Sequence, residues 1–199
     1  VLQPEIVGGR AGLPAIGSAA QRGFWAQAIG GRSKTDSDGN GAGYRQGSGG
    51  FVFGVDGPVS GGWRAGAAFG YTRSSWDADL SGNAAGNGRI DTAHAGIYGR
   101  YSVDRWRLHL DATFAEHRFD TERDVTIGGT TQRATSDHRG RELGFAVQAD
   151  YAIDWGSWQL RPLAGLRHAR LREQGFTENG AGAANLSMNS RTTQNTTAL

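Results

Sequence analysis

The 199 residues contain no cysteine, a single methionine, a single lysine (Lys34) and four prolines. Without cysteine the chain has no disulfide, no thiolate metal site and no cysteine nucleophile. Apart from Lys34 the cations are arginines, and no Lys/Arg run occurs. The net charge of +2 and the pI of about 9.3 therefore do not argue for nucleic acid. No apolar run approaches ~18 residues, so a transmembrane helix is excluded. Val1 is not followed by a basic segment and an apolar core, so no signal peptide opens the sequence.

Glycine, by contrast, is abundant: 33 of the 199 residues. That is too many for a helical protein and suits hairpins, bulges and close-packed strands. Mean hydropathy is −0.51, which bulk measures would read as soluble. A β-barrel in a membrane escapes such measures, because only alternate strand residues touch lipid.

Four tryptophans, Trp25, Trp63, Trp106 and Trp158, each open a stretch of alternating apolar and polar residues. Each stretch runs to a polar segment and returns on a second alternating stretch. The beat recurs every ~40–50 residues, about one hairpin of a transmembrane barrel with its outer loop. The expected strands start at Phe24, about 48, Trp63, about 90, Trp106, about 139, Trp158 and near Leu186. Polar segments 33–46, 74–89, 120–138 and 172–184 are expected as long loops, and short turns fall at 56–62, Asp104 and 154–157. Short turns on one side and long loops on the other are the habit of outer-membrane barrels.

Period two divides each strand into faces. Trp63, Ala65, Ala67, Phe69 and Tyr71 oppose Arg64, Gly66, Ala68, Gly70 and Thr72. Trp106, Leu108, Leu110, Ala112 and Phe114 oppose Arg107, His109, Asp111, Thr113 and Ala115. The charged set Arg64, Arg100, Arg107, His109, Asp111, Glu142, Asp150, Arg161 and Arg167 is expected to line a wet lumen. Charge in a membrane span is costly unless it faces water or a partner charge. Trp25, Trp63, Tyr101, Trp106, Tyr151, Trp155 and Trp158 are expected to form an aromatic belt at the periplasmic interface. Residues 1–22, with Pro4, Pro14 and several glycines, read as a linker or pore-proximal segment, and 23–199 as the barrel.

Several pieces, in order, resemble the C-terminal translocator domain of autotransporters, the type V secretion barrels. They are Phe24 to Ala28, Gly50 to Gly57, Gly62 to Gly66 with Gly70-Tyr71-Thr72, and Gly96 to Tyr101. Glu142 to Phe145, Leu160 to Leu166, Phe176-Thr177-Glu178 and Gly180-Ala181 follow. The resemblance implies an all-β, antiparallel up-and-down barrel of about twelve strands in the outer membrane of a Gram-negative bacterium. About eight of them are readable here. It also implies an N-terminal passenger domain carried to the cell surface, with outer-membrane lipid and the barrel-assembly machinery as partners. Family members end in a strand with a terminal aromatic residue. The stop at Thr196-Thr197-Ala198-Leu199 makes this chain read as C-terminally truncated.

The runner-up is a small eight-stranded outer-membrane protein acting as an adhesin or binding module through its loops. It requires the last strand to close on the first. Catalysis has little to rest on. His109 and Asp111 share a face, but a wet lumen accounts for them. His94, His117, His138 and His168 lack metal-ligand spacing, and Gly39 to Gly43 is not followed by a helix as a phosphate loop would be. No catalytic, metal or cofactor residue is expected, nor a small-molecule substrate.

Overall fold

The computed structural model describes residues 22–36, 43–80 and 84–198. The linker reading for 1–21, the Gly39–Ala42 segment and Leu199 lie outside them. Among the described residues twelve strands follow in chain order: β1 (Gly23–Thr35), β2 (Gly43–Pro58), β3 (Trp63–Leu80), β4 (Ala84–Val103), β5 (Trp106–Ile127) and β6 (Thr130–Tyr151). Then come β7 (Ile153–Trp155), β8 (Trp158–Leu160), β9 (Leu163–Glu173), β10 (Phe176–Thr177), β11 (Ser187–Met188) and β12 (Arg191–Ala198). Among the described residues the single helical element is the short turn Gly182–Ala184.

Eight strands form one antiparallel sheet in the order β1-β2-β3-β4-β5-β6-β9-β12. Every long strand pairs with its sequence neighbour, which is the up-and-down arrangement. The sheet is not closed: β1 and β12 are its outer members and are not paired to each other. The closure that a free-standing eight-stranded barrel needs is therefore not seen.

The connections explain themselves locally. Gly61 and Gly62, at φ +56° and +85°, turn β2 into β3. Gly128 and Gly129, at φ +58° and +81°, form the two-residue link of the β5–β6 hairpin, where both positions need positive φ. Asp104, at φ +50°, turns β4 into β5 with a residue that tolerates the left-handed region.

Two expected loops are strands. Residues 74–89 belong mostly to β3 and β4, and 120–138 mostly to β5 and β6. β5 and β6 are 22 residues each, whereas ~9–11 tilted residues cross a bilayer. In the upper half of that hairpin, from Arg118 to Asp124, charge falls on both faces and apolar alternation disappears. Likewise β1 runs on to Thr35 and β2 starts at Gly43, inside the expected first loop. The expected strand from Trp158 is split in two, because Pro162 has no N–H for the ladder. β8 ends at Leu160 and β9 begins at Leu163. The last strand is not at Leu186; it is the polar run Arg191–Ala198.

One packing device recurs on a single face. Trp25 stands opposite Gly54, Tyr98 opposite Gly66, His94 opposite Gly70 and Trp76 opposite Gly88. Each ring lies over its glycine. A Cβ at Gly54 would come within 2.5 Å of the Trp25 ring, and one at Gly88 within 2.5 Å of Trp76 Nε1. A Cβ at Gly66 would strike the Tyr98 ring, and one at Gly70 the His94 ring. The rings cover backbone that glycine leaves bare and fix the register of strands that have little aliphatic core to do so.

Candidate functional site

Register places the charged set on one face. Arg64 of β3 stands opposite Arg100 of β4, which stands opposite His109 of β5. Asp111 stands opposite Tyr98 on one side and Ala146 on the other, and Ala146 stands opposite Arg167. Arg107 stands opposite Asp150, and Glu142 opposite Ala115. Arg161 follows β8 and reaches the same group, its Nη1 3.5 Å from Asp150 Oδ1. Eight residues thus share a face by register, and the ninth joins them through Asp150.

That face is the concave one. The Trp25 indole on β1 donates to the Tyr98 hydroxyl on β4 at 2.8 Å. Neighbouring strands lie ~4.8 Å apart, so β1 and β4 are some 14 Å apart along the sheet. Side chains three strands apart meet only where the sheet curls towards them. Tyr98 in turn donates to Asp56 Oδ2 at 2.8 Å, and Arg64 Nε donates to Asp56 Oδ1 at 2.6 Å. The Asp56 side chain is 4% exposed, so this carboxylate is satisfied by one hydroxyl and one guanidinium. Lower on the face Arg107 pairs with Asp150 at 2.7 Å. His109 and Asp111 are 3.9 Å apart, too far for a hydrogen bond.

The other face is apolar and exposed. Phe51, Phe53, Phe69, Ile97, Leu110, Phe114, Leu143 and Phe145 are all open to the surroundings. At the short-turn rim Trp63 packs on Tyr101, ring centroids 5.1 Å apart, and Trp106 on Tyr151 at 4.8 Å. Trp155 and Trp158 face each other across the β7–β8 hairpin and are strongly exposed.

Trp25 corrects one expectation. It is not on the convex belt with Trp63 and Trp106, because Phe24, 88% exposed, holds the outward position and period two turns Trp25 inward. Its N–H then finds the Tyr98 hydroxyl, as a half-buried indole prefers. Asp56 and Tyr98 join the site without standing out in the sequence. Asp56 follows the outward run Phe51, Phe53, Val55, and that parity already points it inward.

Above the charged group the β9–β12 connection folds onto the same face. Phe176 stacks on His138 at 4.4 Å, and His138 on Phe119 at 4.7 Å. Arg123 pairs with Glu178 at 2.5 Å, and Arg191 pairs with Glu173. Asn179 exchanges two backbone hydrogen bonds with Thr135, at 2.8 and 2.9 Å. Glu178 is held below the usual carboxylate range, first by the Arg123 guanidinium and then by the Leu186 N–H. Burial pushes His138 below the ordinary histidine range. Among the described residues no group of three His, Asp or Glu side chains is placed to hold a metal.

Residues 24–199 match the autotransporter beta-domain family. The chain belongs to that family. An extracellular serine protease of Serratia marcescens is 30% identical over 168 residues, covering 83% of this chain and 16% of that protein. The chain thus spans about a sixth of the curated relatives it first matches, and the word protease describes the whole relative. Among solved structures, the translocator domain of the autotransporter NalP from Neisseria meningitidis superposes with a TM-score of 0.69 at 19% identity. It covers 94% of this chain and 62% of that one. The beta domain of the Bordetella autotransporter BrkA superposes with a TM-score of 0.56 at 19% identity, covering 88% of this chain and 69% of that one. This autotransporter β-domain is therefore an antiparallel outer-membrane barrel domain of the translocator type, located in the Gram-negative outer membrane. Translocator barrels are not enzymes. Here the concave face holds ion pairs such as Arg107–Asp150.

Proposed function

We propose that this domain anchors its own passenger in the outer membrane and passes it to the cell surface along the concave face. The observation that carries the reading is the division of the sheet. Asp56, Tyr98, Arg64, Arg107 and Asp150 are joined on the concave side, while the convex side is exposed hydrocarbon. A mixed-sign lining stays hydrated and offers donors and acceptors to a passing backbone, whatever its sequence. Lipid requires the opposite, an apolar exterior with every backbone group paired inside.

In this reading Arg64, Arg100, Arg107, His109, Asp111, Glu142, Asp150, Arg161 and Arg167 line the path. They position and solvate a threading segment and carry out no bond chemistry. Trp63, Tyr101, Trp106 and Tyr151, with Trp155 and Trp158, mark the periplasmic headgroup level. Residues 1–22 link the passenger to the barrel that starts at residue 23. The barrel-assembly machinery and the bilayer are its other partners.

The test is site-specific photocrosslinking in cells exporting the full-length protein. A photoreactive residue at Asp111 should capture the passenger in transit, and one at Leu110, on the opposite face, should capture lipid. Passenger capture at Leu110 and none at Asp111 would overturn the proposal.

A further inference from the structure

The convex face is not apolar to its top. Just above the hydrocarbon band, β6 and β9 carry Arg141, Arg170 and Arg172. Arg141 stands directly opposite Arg172, and Arg170 opposite Leu143 one step below on the same face. Like charges directly opposite on an antiparallel pair repel. Among the described residues the carboxylate paired with this group is Glu116, 3.7 Å from Arg141, with both side chains largely in the open. Arg170 and Arg172 have no acidic partner among the described residues. On the neighbouring strands two cations of this boundary are paired, Arg73 with Asp91 at 2.6 Å and Arg118 with Asp137 at 2.7 Å, while Arg139, opposite Arg118, adds a further positive charge beside Arg141.

The surroundings of the three guanidinium groups are specific. Beneath them lie Leu143, Phe145 and Leu166, exposed by 62%, 49% and 40%. Beside them on β12, Thr192 stands opposite Arg172 and Gln194 opposite Arg170, adding hydroxyl and amide donors. Excess cation, neutral polar groups and hydrocarbon follow one another within a few residues of strand. A ligand that matches all three has phosphate, sugar or polyol, and acyl chains in that order.

We propose that Arg141, Arg170 and Arg172 form a site for the phosphorylated headgroup of an outer-leaflet lipid. The proposal rests on the outer-membrane barrel reading, with the long hairpins outside. Arginine suits the role because its planar fork grips phosphate by two bonds, which a lysine does not. The bound phosphates supply the negative charge that the protein withholds, so the opposed Arg141–Arg172 pair becomes favourable when lipid is present. The site orients the barrel against its outer leaflet as the aromatic rim does against the inner one.

The experiment uses the full-length protein reconstituted into phosphatidylethanolamine vesicles. The vesicles are doped with diphosphorylated lipid A, with its dephosphorylated counterpart, or with phosphatidylglycerol. After mild detergent extraction, lipid retained per protein is counted by native mass spectrometry. Heat-modifiable gel migration reports separately whether each sample holds an inserted barrel. Wild type should retain diphosphorylated lipid A and neither of the others. Arg170→Gln should lower retention about tenfold, the effect of losing one charge-assisted contact. The variant with all three arginines changed to Gln should abolish it. Equal retention by wild type and Arg170→Gln, or equal retention of dephosphorylated lipid or phosphatidylglycerol, would overturn the site while the gel still shows a barrel. A wild-type protein that never shows the heat-modifiable form would overturn the barrel reading itself.

Discussion

The indole of Trp25 and the hydroxyl of Tyr98 lie three strands apart in the sheet and are joined by a 2.8 Å hydrogen bond. This bond needs the sheet to curl. The Tyr98 O–H in turn donates to Asp56, so one phenol ties β1, β2 and β4 together. Tyr98→Phe keeps the ring over Gly66 but leaves the indole N–H and one carboxylate oxygen without partners. The cost should be about 1–3 kcal/mol, read as a lower urea midpoint of the folded barrel at unchanged slope.

Asp56 is nearly sealed from water and depends on Arg64 for its charge balance. Arg64→Leu should destabilise the barrel by about 3–5 kcal/mol, because it strands a buried carboxylate. Asp56→Asn in the same background should recover much of the loss, since the neutral amide needs no cation. Thermal unfolding of the two single variants and the double variant checks this. Additive losses would contradict the pairing.

The ring-over-glycine contacts give a coupling prediction. Gly66→Ala drives a methyl into the Tyr98 ring and towards Asp56 Cβ, 2.7 Å away. Overpacking of this kind should cost about 1–3 kcal/mol. In a Tyr98→Ala background the clash with the ring is gone and only the contact with Asp56 Cβ remains, so the same change should cost less. The double-mutant cycle isolates the term.

Acid should loosen the β9–β12 connection before it unfolds the barrel. His138 has a lowered pKa because burial between Phe119 and Phe176 disfavours its charged form. When the connection opens, His138 takes a proton at about pH 6.5. Stability of the docked form is therefore complete above that pH and falls as pH drops towards the lower folded value. Glu178, also lowered, adds stability that is full above about pH 4.3 and is lost as pH falls through its own folded value. Hydrogen exchange at the amides of Thr135 and Asn179, corrected for intrinsic rate, should quicken first below about pH 6.5. His138→Phe should remove that first phase and leave the second.

The strand alternation and the short turns are legible in the sequence wherever one face of a strand is apolar and the other polar. That contrast writes the period-two pattern of Trp63 to Tyr71 and of Trp106 to Phe114. Further along the same strands that contrast ends. Val125, Thr126 and Ile127 keep β-forming side chains, but Arg118 to Asp124 carry charge on both faces, and the hairpin reads as loop. β12 is hidden for a related reason: Arg191 to Thr197 is polar throughout. Trp25 was misassigned because tryptophan alone suggests a belt, and only the neighbouring Phe24 reveals the parity. The contacts of Asp56 and Tyr98 depend on the register of strands 42 residues apart in sequence, which no local pattern encodes.

The account stands on which face meets water. These 199 residues contain no cysteine, so single cysteines can be placed at concave His109, Tyr98 and Gln148 and at convex Leu110, Ile97 and Val147 in the full-length protein. In intact outer membranes a water-soluble, membrane-impermeant thiol reagent should label the first three rapidly. The second three should resist it and react with a lipid-soluble reagent. Labelling of Leu110→Cys, Ile97→Cys and Val147→Cys by the water-soluble reagent, with the concave positions protected, would contradict the assignment of the faces and with it the path for the passenger.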